Sequence, residues 1–303
     1  MKNMKTGVIG LGNMGGGVAR NFAKARVPLM VWDVSPAACK KFEGMTGVEV
    51  AKPAEMAGAC DLIVFVVPST KEVAQHLKGP RGILANGRPG TVICDFTTSD
   101  PAASMKLARL AAQKGMPYLD AGMSGGATGA EAGTLTLMMG GDKKAFARIR
   151  RRLAPIAAKL FLLGPSGSGH TLKLVHNLVT HSIFMATCEG CRMAERAGIR
   201  LQDVIEVFNV ANARSYASQF RFPRHILSKK WDAKSRVFNL LKDLTMAVGM
   251  GKRLGADTSY GEVTRNFLEK AAGRGMLEKD YALLYRDFEK IRKSRVRRKV
   301  KLA

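Results

Sequence analysis

The chain has 303 residues, with 49 Lys and Arg against 24 Asp and Glu and 46% hydrophobic residues, a composition that excludes fibrous and disordered chains and a length that suits two domains at roughly 100 to 200 residues each. No apolar stretch approaches the roughly 18 residues of a membrane helix. The apolar residues near the N-terminus run straight into glycines, unlike a cleaved leader, so a cytoplasmic protein without membrane contact is expected.

In chain order, short β-branched runs at 6–9, 29–32, 62–67, 92–95 and 135–139 read as strands. Between them, Ala-rich stretches such as 16–25 and 102–114 repeat their apolar residues at helical spacing. Strand and helix in alternation predict an α/β domain, a parallel sheet covered on both faces. A turn-rich LGPSGSG run at 163–169 breaks the pattern. Beyond it the chain reads as helix without strands, at 170–197, 201–208, 240–254, 260–272 and 281–291. The first of these carries Leu172, Leu174, Val175, Leu178, Val179, Ile183, Phe184 and Met185 on more than one face, which places it inside a helical domain or in a subunit interface. A homodimer or homotetramer is expected. The organisation is therefore a doubly wound sheet domain at 1–164, an all-α domain at 165–289 and a basic tail at 290–303.

That tail holds eight cations and no acid, so mutual repulsion predicts a frayed, extended segment without an apolar face. It reads as a solvated tail, or as an arm that touches nucleic acid, an acidic membrane surface or an acidic partner. No aromatic residue is interleaved with it, which counts against nucleic acid. The five cysteines are too few for a disulfide framework, and none has zinc-like spacing to histidine. Cys188 and Cys191 form a CxxC within a helical pattern, and all five read as packed, reduced thiols.

Gly10, Gly12 and Gly15 spell GxGxxG directly after the first strand and at the entrance of the first helix. With Leu11, Asn13 and Met14 they form a Rossmann-type dinucleotide loop: glycines for the tight turn and the close approach of pyrophosphate, a helix N-terminus facing the phosphates. Asp33 closes the second strand, where a carboxylate accepts the ribose hydroxyls and repels a 2′-phosphate. NAD is the expected cofactor, with NADP as the alternative.

A second Gly-rich segment at 121–141 contains Ser124, Gly125 and Gly126, whose amides suit a substrate carboxylate; read alone, it is also a glycine-rich connection into the strand at 135–139. Lys173 and Asn177 stand four apart near the start of the long helix and project from one face. The helix dipole and burial would lower the lysine pKa toward proton-transfer use; the plain reading is a snorkelling lysine and a surface amide. Lys242, followed by Asp243, begins another helical run and would bring a second cation to the same cleft.

These segments together resemble the β-hydroxyacid dehydrogenase family, of which 3-hydroxyisobutyrate dehydrogenase is a typical member. The similarity runs over nearly the whole chain: GLGNMG at 10–15, TTSDPAAS at 97–104, DAGMSGGATGAEAGTLTLMMGG at 120–141, GSGHTLKLVHN at 167–177 and KDL at 242–244. The resemblance implies that Lys173 is the catalytic lysine and Asn177 its substrate-orienting neighbour. It implies that Ser124, Gly125 and Gly126 are the carboxylate loop and that Lys242 is a second contact to substrate and cofactor. Val67, Pro68 and Thr98 would border the nicotinamide half of the cofactor. His176 stands where family members often carry a first asparagine, and the stretch from His170 to KLVHN is similar to 6-phosphogluconate dehydrogenase. Both histidines read as packed or helix-surface residues. Glu72 occupies the place of a cofactor-contacting asparagine, and Arg214, Arg221 or Arg224 would meet a second anionic group or lie at the surface.

The implied activity is transfer of a hydride between nicotinamide and the β-carbon of a small 3-hydroxy acid or its semialdehyde. Tartronate semialdehyde, or a larger, phosphorylated or sulfonated hydroxy acid, is the alternative within enzymes. The rival outside them is a protein that keeps the fold only to hold polyanions, and for such a protein the set of Lys173, Asn177 and the Ser-Gly-Gly loop would have no use.

Overall fold

The computed structural model describes residues 4–294. The chain falls into two compact units, Met1–Lys173 and Leu174–Ala303. In the first, β1 (Thr6–Ile9), α1 (Asn13–Lys24), β2 (Leu29–Trp32), α2 (Pro36–Lys40), β3 (Val48–Val50), α3 (Pro53–Ala59), β4 (Leu62–Phe65), α4 (Thr70–Leu77) and α5 (Ile83–Asn86) follow in order. Then come β5 (Val92–Asp95), α6 (Pro101–Ala112), β6 (Tyr118–Ser124), α7 (Gly126–Ala132), β7 (Leu135–Gly141), α8 (Lys143–Ile149) and β8 (Ala157–Leu162), before α9 (Ser168–Arg196) begins.

The strands form one sheet in the order β3-β2-β1-β4-β5-β6-β7-β8, and the chain reverses its direction of winding at β1. Val8 sits in register with Val31 and Val64, and this row faces a core that includes Phe22 and Phe96. The alternate row, Ile9, Met30, Ile63 and Phe65, faces a second core with Met56, Val73 and Leu77. Both faces are dry, which is why these strands are apolar without alternation. Phe22 and Phe65 are fully buried on opposite faces, and truncating either to Ala costs about 3 to 5 kcal/mol.

Sequence and structure differ in places that have physical causes. The strand expected at 62–67 ends at Phe65, because the chain peels away before Pro68, which has no N–H for a ladder. The sheet is mixed: β7 runs antiparallel to β6, since the ten residues between Ser124 and Leu135 fall short of the dozen or so that a parallel crossover takes. Strands β3, β6 and β8 go unpredicted; β6 reads YLDAGMS, with no β-branched residue. Helix α6 starts where Asp100 accepts the Ala102 amide at 2.8 Å with Pro101 in its first turn, a standard start signal.

The second unit is all helix: the rest of α9, α10 (Leu201–Val210), a π-helical segment (Ala217–Leu227), α11 (Val237–Arg253), α12 (Ser259–Gly273), α13 (Leu283–Arg286) and α14 (Phe288–Arg292). Its core gathers Phe184, Phe222, Leu240, Leu244, Leu268, Tyr281 and Tyr285. The helix expected at 281–291 is two short pieces that break at Asp287. On α9, Leu174, Phe184 and Met185 are buried while Leu172, Val175, Val179 and Ile183 lie exposed along one face. The helix is therefore not enclosed within its own chain. Contrary to the expectation of a tail without an apolar side from residue 290, Ile291 is fully buried in the helical core; the rest of that tail, residues 295–303, lies outside the described residues. Among the described residues no helix is long and apolar enough to cross a membrane, no group of residues is placed to hold a metal, and all five cysteines are free and buried.

Candidate active site

Strands β1, β4, β5 and β6 are parallel neighbours, so the loops that leave them share one edge of the sheet. The predicted residues Gly10 to Gly15, Val67, Pro68, Thr98, Gly125 and Gly126 lie on those loops or at the helix starts that follow, and Ser124 is the last residue of β6. Gly10 holds φ at +97°, and a Cβ there would stand 2.2 Å from the Val66 carbonyl oxygen. Only glycine lets this turn pass β4. Gly12, by contrast, is exposed and a Cβ on it would meet nothing within 4 Å. The opening over the start of α1 is the cradle that a pyrophosphate requires, with the first-turn amides of a helix facing it. Leu11, in the middle of the loop, is buried while Asn13 is exposed and Met14 half-buried.

Asp33 ties that loop to the end of β2. Its Oδ2 accepts the Leu11 amide at 2.6 Å and its Oδ1 the Ser35 amide at 2.8 Å, which leaves further lone pairs for ribose hydroxyls. Val67 and Thr98 are half-buried and Pro68 is exposed. Glu72 caps the start of α4, where its carboxylate accepts the Ser69 hydroxyl at 2.6 Å. It is thus engaged within the protein at the position of the expected asparagine.

Gly125 and Gly126, at φ +127° and +61°, turn the chain from β6 into α7. Both positive φ values are ones that glycine adopts without a Cβ penalty, and Ser124 closes the strand beside them. Two residues upstream, a Cβ on Gly122 would stand 2.4 Å from the Lys173 Cβ and 2.9 Å from its Cγ. The missing side chain lets the lysine stem lie against β6, and Lys173 is only 9% exposed.

Asn177 follows one turn later on α9. In the second unit its Nδ2 donates to Asp243 Oδ2 at 2.6 Å, and Lys242 Nζ lies 3.6 Å from Asp243 Oδ1. The carboxylate decides the amide's orientation: the NH₂ faces Asp243, so the Asn177 oxygen accepts from His176 Nδ1–H at 3.0 Å. Asp243 thus joins two predicted residues, and its place directly after Lys242 in the KDL motif was the available signal. Also unforeseen were the carboxylates under the start of α9. Asp120 accepts the Gly167 and His170 amides at 2.6 and 2.8 Å, and Asp95 accepts the Tyr118 hydroxyl at 2.6 Å. Burial and the Asp95 charge push the Tyr118 phenol well above its ordinary range, so it serves as a fixed donor. His170 is fully buried, a packed residue; His176 is half-buried.

Residues 5–164 match the family model described as the NAD-binding domain of 6-phosphogluconate dehydrogenase. Residues 167–287 match that of the NAD-binding domain of NADP-dependent 3-hydroxyisobutyrate dehydrogenase. The chain belongs to the β-hydroxyacid dehydrogenase family. It is an NAD(P)-dependent oxidoreductase. A probable 3-hydroxyisobutyrate dehydrogenase of Dictyostelium discoideum is 31% identical, with 92% of this chain and 89% of that protein aligned. The 2-(hydroxymethyl)glutarate dehydrogenase of Eubacterium barkeri is 29% identical over 96% of both chains. Among solved structures, 3-hydroxyisobutyrate dehydrogenase of Mycobacterium tuberculosis with L-serine superposes with a TM-score of 0.85 at 26% identity, covering 94% of this chain and 99% of that one. The open cradle at Gly12 and the Asp33 carboxylate fit the cofactor of this family of dehydrogenases.

Proposed function

We propose that this dehydrogenase transfers a hydride between NAD and the β-carbon of a small 3-hydroxy carboxylic acid of the 3-hydroxyisobutyrate type, with Lys173 as the general acid and base. The observation that carries the reading is the burial of Lys173 against Gly122, on the same strand that ends in the Ser124-Gly125-Gly126 turn. That turn supplies amides and a hydroxyl for the substrate carboxylate. Asn177 and Lys242, both held by Asp243, orient the hydroxyl or carboxylate and contact the cofactor. Gly10, Leu11, Gly12, Asn13, Met14, Gly15 and Asp33 hold the dinucleotide, and Val67, Pro68 and Thr98 border its nicotinamide half. The bound nicotinamide supplies the hydride acceptor or donor. In oxidation, neutral Lys173 takes the hydroxyl proton as the carbonyl forms; in reduction its ammonium gives that proton to the developing alkoxide.

A longer acid is the second reading. Relatives act on 2-(hydroxymethyl)glutarate and on L-threonate, and Arg221 offers a cation for a second anionic group. Its guanidinium packs on the Phe184, Tyr216 and Tyr281 rings, and its Nη1 is buried without a hydrogen-bond partner among the described residues. The exposed apolar row on α9 supports a homo-oligomer, dimer or tetramer.

The deciding experiment is a panel of 3-hydroxyisobutyrate, tartronate semialdehyde, L-threonate and 2-(hydroxymethyl)glutarate, followed by nicotinamide absorbance, with the parental chain and Lys173→Ala. Turnover on the best substrate should fall by roughly 10² to 10⁴-fold, the contribution of a positioned acid or base, while cofactor affinity stays nearly constant. Lys173→Arg should not rescue, since a guanidinium stays protonated. Retention of more than about a tenth of parental turnover in Lys173→Ala, by that same magnitude, would remove the lysine from the reaction.

A further inference from the structure

We infer that His170, which makes no use of its own acid–base chemistry in this scheme, is a positioning residue that fixes the first turn of α9 and through it the side chain of Lys173. The inference rests on Lys173 being the group that moves the proton.

The argument begins with the imidazole's partners. His170 is fully buried, as are Ser104, Asp95 and Asp120. Its Nε2 lies 3.1 Å from the backbone oxygen of Asp95 at the end of β5, and because a carbonyl can only accept, Nε2 carries the proton. Nδ1 of the neutral ring is then the acceptor, and the Ser104 hydroxyl on α6, which also has the Asp100 backbone oxygen at 3.2 Å, donates to it over the shorter distance of 2.7 Å. The His170 backbone amide is held separately, by Asp120 Oδ2 of β6 at 2.8 Å, while Asp120 Oδ1 takes the Gly167 amide at 2.6 Å. One residue thus ties the helix start to β5, β6 and α6.

These ties fix more than the position of a helix end. The Asp120 contacts satisfy amides that every helix leaves open at its start, but two amides near the axis leave the turn free to swivel. The imidazole reaches outward from the axis to β5 and α6 and sets the rotation. Lys173 comes three residues later, on nearly the same side at 3.6 residues per turn, with its stem against Gly122. Since Asp120 and Gly122 point to one face of β6, the strand that caps the turn also bears the lysine. A swivel of the turn would carry the ammonium nitrogen, at the end of a long stem, away from the substrate. Misplacement by about 1 Å at a reacting group can cost on the order of 100-fold.

A stabilising role alone would be indifferent to which imidazole bond is kept, and would act on Tm irrespective of Lys173. The positioning role makes sharper demands on turnover. In the full chain, with the best substrate of the panel above, His170→Leu should lower kcat by about 10 to 100-fold and leave the NADH dissociation constant, read by fluorescence, within about twofold. His170→Gln, which retains an amide N–H for the Asp95 carbonyl, should recover most of that loss. Ser104→Ala, a small change that leaves Nδ1 without its donor, should lower kcat at least about threefold, the scale of one lost hydrogen bond. The decisive arm is the double variant: in a Lys173→Ala background, His170→Leu should cause no further loss, because residues that act as a unit are not additive.

A folded His170→Leu chain with kcat within twofold of the parent overturns the inference. So does an equal further loss in the Lys173→Ala background. If His170→Leu does not fold, Ser104→Ala decides in its place, and unchanged kcat there overturns the inference. If Lys173→Ala itself keeps its turnover, the lysine reading fails; if it loses turnover while the His170 variants do not, only the positioning role fails.

Discussion

Gly10 and Asp243 show how differently the two units build their candidate functional groups. Around Gly10 the functional surface is backbone: amides at the start of α1, a left-handed turn at Gly125 and Gly126, and space where Gly12 has no side chain. Around Asp243 it is side chain: a buried carboxylate that holds Asn177 and faces Lys242. A site made of backbone is broken by adding atoms, and a site made of side chains by removing them. The sheet supplies loops whose course is set by strand pairing, so glycine at a few positions suffices. The helices have already spent their amides on each other, which leaves only side chains to act.

The largest effect should come from adding atoms to the first unit. Gly10→Val needs a Cβ 2.2 Å from the Val66 oxygen at φ +97°, so kcat/KM for NAD should fall at least about 100-fold, or 2.7 kcal/mol. Gly12→Ala sharpens the contrast. A methyl there meets no protein atom, so Tm should be unchanged while NAD affinity drops. If Gly12→Ala also lost stability, the space above it would belong to the fold and not to a ligand.

Removal of atoms from the second unit comes next. Asp243→Ala leaves the buried Asn177 amide without its acceptor, a loss of about 1 to 3 kcal/mol, so kcat/KM should fall about tenfold or more, at 1.4 kcal/mol per tenfold. Asp243→Asn should keep part of it, because an amide oxygen still accepts. Equal kinetics for Asp243→Ala and the parent would show that Asn177 is held in place without the carboxylate. Asp33 gives a smaller effect: the parent should prefer NAD to NADP by at least about tenfold in kcat/KM, and Asp33→Ala should bring that ratio toward one.

The same contrast explains what could be read in the sequence. Strands β1, β2 and β5 are legible to the residue because each is a short, mostly apolar run that is almost wholly buried. Strand β6 is not, since it contains Asp120, which serves the helix start, and Gly122, which makes room for a lysine; both residues weaken the local strand signal for reasons that appear only in three dimensions. The π-helical segment at Ala217–Leu227 escapes because Pro223 reads as a breaker. The glycines of the dinucleotide loop are legible because neighbouring residues supply their context. Asp95, Asp120 and Ser104, which brace the start of α9, come from elsewhere in the chain, and nothing in their spacing announces the meeting.

The smallest effect concerns a group in the first unit that is neither backbone nor catalytic. His76 on α4 packs edge-on against Trp32 at 4.9 Å and stacks with Phe65 at 6.2 Å. Burial among these rings lowers its pKa, opposed only in part by Glu72 one turn earlier on the helix. The folded chain therefore takes this proton less readily than the unfolded chain, whose histidine titrates near about 6.5. The stability it contributes is fully present above that value and is lost as pH falls through the lower value of the folded state. Trp32 and Trp231 are the chain's two tryptophans, so in a Trp231→Phe chain the emission of Trp32 reports the neighbouring ring directly, because an imidazolium quenches indole. Its quenching midpoint should lie below about 6.5, and His76→Gln should abolish the transition. A midpoint at or above that value would mean that water reaches the ring, and that this edge of the sheet is more open than the packing of Trp32, Phe65 and His76 implies.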